Sequence, residues 1–210
     1  MEWRARLHAS HNSMLLLSQG WAYDLLQYVL GGARTRRWIQ QEFIRARRGE
    51  RVLDVGCGTA DVLSVLPDVE YIGFDISEAY VARAQARWGS RGRFFAQHLD
   101  GETLRSLGTF DVVLATGVLH HLTDHEATTL FDLLAPALTP GGRIVTVDGC
   151  YVDRQNPIAR SLIKNDRGQY VRTPEAYVAL ATSSGLDVRG WLIHRAWIPY
   201  TYWIMRISKS

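Results

Sequence analysis

Arg51-Val-Leu-Asp-Val-Gly-Cys-Gly-Thr-Ala60 is the stretch on which the fold turns. Val52, Leu53 and Val55 form a short apolar run rich in β-branched residues, which predicts a buried parallel strand. Gly56 and Gly58 end it, and an apolar-periodic segment begins within a few residues. A strand that passes through a glycine-rich turn into a helix opens a nucleotide-binding α/β unit. Gly56 permits the tight turn, and Gly58 lets a ligand approach backbone that carries no Cβ.

The residues around the turn narrow the class of nucleotide. The dinucleotide fingerprint G-x-G-x-x-G requires a glycine at position 61, where Asp61 stands, and no Gly-Lys-Ser/Thr follows to cradle phosphate. Tyr71-Ile-Gly-Phe-Asp75 reads as a second strand ending in a carboxylate about 20 residues after the turn, where it can accept two ribose hydroxyls. The expected ligand is a nucleoside with a free ribose and no phosphate to grip.

Four motifs in order then carry a resemblance. Val52-Leu-Asp-Val-Gly-Cys-Gly-Thr59 resembles the first motif of the class I S-adenosylmethionine-dependent methyltransferases of small-molecule type, and Gly73-Phe-Asp-Ile-Ser77 resembles their second. Phe110-Asp-Val-Val-Leu-Ala-Thr-Gly-Val-Leu-His-His-Leu122 resembles the fourth-strand motif, and Leu138-Thr-Pro-Gly-Gly-Arg-Ile-Val-Thr-Val147 the turn and fifth strand. The third motif departs from the pattern: Phe95-Ala-Gln-His-Leu-Asp100 has His98 near the place where an aspartate usually meets the adenine, and Asp100 is the alternative.

The resemblance implies S-adenosylmethionine as cofactor, S-adenosylhomocysteine as product and no metal. It places Asp54, Gly56, Cys57, Gly58, Asp75, Ile76, His98, Leu99, Asp100, Ala115 and Thr116 around the cofactor, with Arg37 a candidate for its methionine carboxylate. His121 aligns with a histidine often found at the active-site end of the fourth-strand motif, and His120 is its neighbour. A neutral imidazole with pKa near 6.5 can act as general base towards a hydroxyl or ammonium acceptor. The competing reading is a histidine that only holds the loop or caps the next helix. His120-His121-x-x-x-His125 with Glu126 straddles a loop and a helix start, so a convergent three-ligand metal set is not expected.

Composition agrees with one such domain. The 210 residues are 47% hydrophobic and 21% charged, enough for one sizeable core. Two cysteines, Cys57 and Cys150, are too few for a disulfide framework and point to a reducing, cytoplasmic setting. Met14-Leu-Leu-Leu17 is too short to span a membrane and lacks signal-peptide architecture. Arg34-Thr-Arg-Arg-Trp38 and Phe43-Ile-Arg-Ala-Arg-Arg48 can be read as tracking a phosphate backbone or as a solvated helix face; a net charge of only +3 favours the second. The Asn/Asp-Pro-Pro-Tyr/Phe signature of amino-group methylation on nucleic-acid bases is replaced by Ala115-Thr-Gly-Val118, so no nucleic-acid partner is expected.

The expected organisation is a single domain over residues 1–210: a helical cap at 1–48, a cofactor-binding core at 49–148, and an acceptor-side insert with closing strands at 149–210. In the cap, Leu15, Trp21, Leu25, Leu26, Tyr28, Val29 and Leu30 recur at helical spacing until Gly31-Gly32. In the core, a helix over Asp61–Leu66 stops at Pro67, and a second follows Ser77 as N-cap and runs to Trp88. A strand at Phe94-Phe95, a strand at Phe110–Ala115, a helix at Asp124–Ala137 and a strand at Arg143–Val147 continue the alternation. A helix at Ile158–Ile163 and one capped by Thr173 follow. Strands Val188–His194 and Tyr200–Ile207, joined by Trp197–Tyr202, close the sheet. The fold class is thus α/β: a Rossmann-like, doubly wound, seven-stranded sheet, mostly parallel with an antiparallel C-terminal hairpin.

Acceptor contacts are expected from Tyr23 and Tyr28 in the cap and from Tyr151, Arg160, Arg167 and Tyr170 in the insert. Seven Trp and nine Tyr, many of them in these flanks, suit a flat small-molecule acceptor such as a phenol, heteroaromatic or sugar ring, although aromatics also simply fill irregular lids. The alternatives are a cofactor-binding protein with lost or non-methylating activity, and an RNA or protein methyltransferase.

Overall fold

The computed structural model describes residues 32–164, 168–195 and 198–209. Tyr23, Tyr28, Arg167 and the cap before Gly32 lie outside the described residues. Seven strands form one sheet in the order β3-β2-β1-β4-β5-β7-β6. These are β1 (Arg51–Val55), β2 (Glu70–Asp75), β3 (Gly92–Ala96), β4 (Phe110–Thr116), β5 (Leu138–Gly149), β6 (Leu186–Arg195) and β7 (Ile198–Lys209). β1 to β5 pair in parallel, and β7 runs antiparallel to both β5 and β6.

β1 reads as continuously apolar because both of its faces are covered. Successive side chains of a strand point to opposite faces, so Val52 and Leu53 enter different cores. Leu53 joins Ile72, Phe74, Val113, Phe131 and Tyr177. Val52 joins Tyr71, Val112, Leu114 and Val145 beneath Phe43 and Ile44. The α-helices of the described residues are α1 (Gly32–Ile39), α2 (Glu78–Trp88), α3 (Gly101–Leu107), α4 (Asp124–Leu134), α5 (Pro157–Lys164) and α6 (Pro174–Thr182).

Helix starts follow local chemistry. Ser77 accepts from the Tyr80 N–H, Thr123 and Glu126 form a reciprocal capping box, and Thr173 accepts from the Ala176 N–H ahead of Pro174. Helix ends and loops depart from expectation. Asp61–Leu66 is only a 3-10 turn over Asp61–Ser64: the Ser64 hydroxyl bonds back to the Asp61 carbonyl, and Pro67 follows too soon for an α-helix to establish itself. The helix expected to reach Ala137 ends at Leu134, and a 3-10 turn over Ala135–Ala137 carries Pro136, which has no N–H to continue the ladder. β5 is longer than expected, and Thr139–Gly142 bulges from it, since Leu138 pairs with Phe110 while Arg143 already pairs with Val112. Ile198–Tyr202 belongs to β7 instead of a connector, and Arg195 pairs with Ile198. Gly32 begins α1; the helix expected to stop before it lies outside the described residues.

Ahead of β1, Arg143 of β5 fastens the chain to the sheet. Its buried guanidinium donates to the carbonyls of Ile44 (2.7 Å) and Arg45 (2.8 Å) and pairs with Glu50 (3.0 Å).

Candidate active site

The carboxyl ends of β1, β2, β4 and β5 converge, which is where open α/β sheets bind ligands. At the end of β1, Gly56 (φ +71°) and Gly58 (φ +54°) both take left-handed backbone. The N–H groups of Gly56 and Cys57 donate to the Phe74 carbonyl at 2.8 and 2.9 Å. The Gly58 N–H donates to Asp75 Oδ2 and the Ser77 N–H to Asp75 Oδ1, each at 2.8 Å. The carboxylate of Asp75 is therefore locked onto the glycine turn, and each oxygen retains a lone pair for a hydroxyl. A Cβ on Gly58 would meet no atom within 4 Å, so that side of the turn is open. Ile76, next to the carboxylate, is 64% exposed, an apolar side chain left in the open beside a polar anchor.

Beneath the turn, Asp54 is buried and accepts the Tyr71 hydroxyl at 2.6 Å. Burial pushes its carboxyl up to about 7; the Tyr71 bond opposes this and the negative Asp75 adds to it. Burial also pushes the Cys57 thiol up, with Asp54 and Asp75 assisting, so Cys57 stays protonated and packs under Gly73. Asp54 makes stability depend on pH with a definite sign. Its folded pKa lies above its unfolded one, so this contribution is full below about pH 4, falls as pH rises and is lost above about pH 7. Asp54→Asn should flatten that slope in urea unfolding at pH 5 and pH 8 and stabilise the chain at pH 8 by up to about 4 kcal/mol. An unchanged slope would mean that Asp54 titrates normally.

Ala115 is buried and Thr116 exposed at the end of β4. Gly117 (φ +71°) then leads into a 3-10 turn over Leu119–His121. The two histidines part ways here. His120 is buried, its Nδ1 2.8 Å from Oδ1 of Asp148, which is itself 2% exposed near the end of β5. The His120 N–H donates to the same oxygen at 3.3 Å. His121 is exposed, with its ring centroid 4.2 Å from that of His120. In the tautomer that donates Nδ1–H to Asp148, Nε2 is the basic nitrogen of the neutral ring. Sequence reasoning favoured His121 and missed Asp148, whose one signal is a carboxylate directly after the β-forming run Ile144-Val-Thr-Val147.

The remaining candidates are scattered. His98 is exposed, Leu99 packs on the core, and Asp100 is the N-cap of α3, accepting from the Thr103 N–H at 2.7 Å, a bond that holds its pKa low. Arg37 is exposed on α1, while Trp38 turns inward onto Phe43, ring centroids 4.9 Å apart. Glu126 is engaged in the capping box of α4. In the insert, the Arg160 guanidinium lies 5.3 Å from the Tyr151 ring. The Tyr170 N–H donates to the His120 carbonyl at 2.9 Å, and the Tyr151 N–H to that of Arg172 at 3.0 Å. Tyr151 and Tyr170 are thus joined to the histidine turn through backbone. Arg172, whose carbonyl accepts from Tyr151 and whose side chain donates to the carbonyls of Leu119, Leu122 and Tyr170, was not among the expected residues.

Residues 53–144 match the model of a methyltransferase domain family. An O-methyltransferase of Penicillium expansum (cnsE) is 32% identical over 108 residues, 48% of this chain and 38% of that protein. The ubiquinone/menaquinone biosynthesis C-methyltransferase UbiE of Geobacter sulfurreducens is 31% identical over 137 residues, 60% of this chain and 53% of that protein. The chain thus spans about half or less of the curated relatives it matches. The fold is shared with an O-methyltransferase family protein from Burkholderia thailandensis: TM-score 0.67 at 19% identity, over 86% of this chain and 57% of the other.

Proposed function

We propose that this chain is a class I S-adenosylmethionine-dependent methyltransferase, a reading that the match of residues 53–144 to a methyltransferase domain family supports, and that it transfers a methyl group to an oxygen or nitrogen atom of a small-molecule acceptor. The observation that carries this reading is Asp75, a carboxylate locked by two backbone N–H groups at the open edge of a glycine turn. Its remaining lone pairs suit the vicinal hydroxyls of a ribose, and the bare Ile76 beside it suits the face of a base. Gly56, Cys57 and Gly58 would line the cofactor through backbone, and buried Asp54 would offer a second carboxylate towards its cationic end. When bound, the sulfonium supplies an activated methyl group for in-line displacement.

The chain's own tasks are alignment, exclusion of water and removal of a proton. Asp148 holds His120 Nδ1–H and would stabilise the imidazolium formed when Nε2 takes the acceptor's proton. His121, on the outer side of the same turn, is the second candidate. Tyr170, whose N–H bonds to that turn, and Tyr151 with Arg160 against its ring supply polar-tipped aromatic and cationic surface, which suits a phenol-like, heteroaromatic or sugar ring. The O-methyltransferase relative supports oxygen as the attacking atom.

S-Adenosylhomocysteine release, measured with a panel of phenols, catechols and monosaccharides, tests the reading. If His120 is the base, His120→Ala should lower turnover by about 10²–10⁴ while cofactor affinity stays put. His121→Ala should then have little effect. A reversed order transfers the role to His121, and failure of the wild-type chain to bind S-adenosylhomocysteine in calorimetry would sink the proposal.

A further inference from the structure

We propose that Arg172 is a positioning residue that fixes the histidine turn to the acceptor-side segment Gly168–Arg172, so that the two move as one unit. The inference rests on the reading above for its catalytic meaning and on geometry alone for the fastening.

The Arg172 side chain is only 8% exposed, and its donors are spread over three elements. Nη1 donates to the carbonyls of Leu119 and Tyr170, both at 2.8 Å. Nη2 donates to the carbonyl of Leu122 at 2.6 Å, and Nε to Asp124 Oδ1 at 2.8 Å. Leu119 and Leu122 flank His120 and His121, so one guanidinium holds both ends of the turn. The turn has no side-chain cap at its start. Asp124, the one anion in this set, is 81% exposed. An exposed partner contributes little as an ion pair. The value of Arg172 therefore lies in its carbonyl contacts, which a planar five-donor fork can make together and an ammonium cannot. The rings of Tyr170 and Tyr177 lie 5.9 and 5.7 Å from the guanidinium carbon and confine it further.

Backbone contacts point the same way. The Tyr170 N–H donates to the His120 carbonyl, and Arg172 forms a parallel bridge with Cys150, immediately after β5 and two residues from Asp148. Gly168 approaches so closely that a Cβ there would fall 2.0 Å from His120 Cδ2 and 2.9 Å from the His120 carbonyl oxygen. Segment 168–172 is therefore seated on His120 along its ring and its backbone, while Asp148 holds the ring nitrogen from the sheet side. With Arg172 in place, the turn cannot shift without carrying the segment of Tyr170 with it. Misplacement of a reacting group by about 1 Å can cost roughly 10²-fold in rate, which is the effect at stake.

The test uses the full chain with Arg172→Lys and Arg172→Met. Amide exchange is followed at Tyr170 and His121 and at core amides of β1 and β4, with S-adenosylhomocysteine calorimetry and turnover on the acceptor panel alongside. Exchange at Tyr170 and His121 should accelerate at least about 10-fold more than at the core amides, because local opening is released without global unfolding. Cofactor affinity should stay within about 3-fold, and kcat should fall at least about 30-fold with KM for S-adenosylmethionine unchanged. Lysine should recover part of both effects. Acceleration spread evenly over all amides, or none at all, would reduce Arg172 to a contributor to global stability and overturn the proposal. If the wild-type chain binds no S-adenosylhomocysteine, the methyltransferase reading falls, while the exchange comparison still decides on the fastening.

Discussion

Gly56→Val will abolish measurable cofactor binding. Gly56 holds φ +71°, where a β-branched residue is strained, and its new Cβ would lie 2.7 Å from Val118 Cγ2. Both problems are relieved only if the turn moves, and the turn is what brings the Gly58 N–H to Asp75. Val118 also opens the histidine turn, so displacement on either side disturbs the site. A loss of at least about 100-fold in S-adenosylhomocysteine affinity, or roughly 3 kcal/mol, is expected from calorimetry. Gly56→Ala should fall between, since it keeps the clash but lacks the branch. Binding within a few-fold of wild type would show that the turn does not touch the cofactor.

Arg143→Met should have the largest effect on stability. The buried guanidinium satisfies two carbonyls of residues 44–45 and the carboxylate of Glu50. Removing one partner of a buried pair costs about 3–5 kcal/mol, because the other partner is left buried and unpaired. Methionine keeps most of the stem, so the loss is of charge and hydrogen bonds and not of volume. Urea unfolding should report it, and the melting temperature should fall by roughly 6–20 °C for a chain of this size. A loss below about 1 kcal/mol would place Arg143 among weak surface pairs. Cofactor affinity should survive in the folded fraction, because Arg143 belongs to the opposite end of the sheet.

How much of this was legible in the sequence depends on the distance over which each rule acts. The glycine turn, the carboxylate ending β2 and the caps Ser77 and Thr173 are each set by residues a few positions apart, and all of them fold as read. The hairpin was expected, but its second strand begins at Ile198 and not at Tyr200, because Pro199 reads as a break in a strand. The side chains of the candidate site were harder. His120 meets Asp148 across 28 positions, and Arg172 meets the histidine turn across about 50, so no periodicity announces either contact. The pair His120-His121 shows the limit most plainly. Adjacent residues of one type are indistinguishable in sequence, and only the buried carboxylate of β5 singles out the buried imidazole from the exposed one.

The sheet order has a consequence for how the chain comes to be folded. β7 is the last described strand to be synthesised, yet it lies inside the sheet, between β5 and β6. Until residues 198–209 emerge from the ribosome, β5 shows a long open edge and β6 has no partner. A nascent chain must shield those two edges for as long as translation takes, and unpaired strands are where misassembly begins. A stop codon or a proteolytic cut before Ile198 therefore removes more than twelve residues of surface. It leaves β6 unpaired and β5 with an exposed apolar edge, and the fragment should be recognised by chaperones and proteases instead of persisting as a shortened domain.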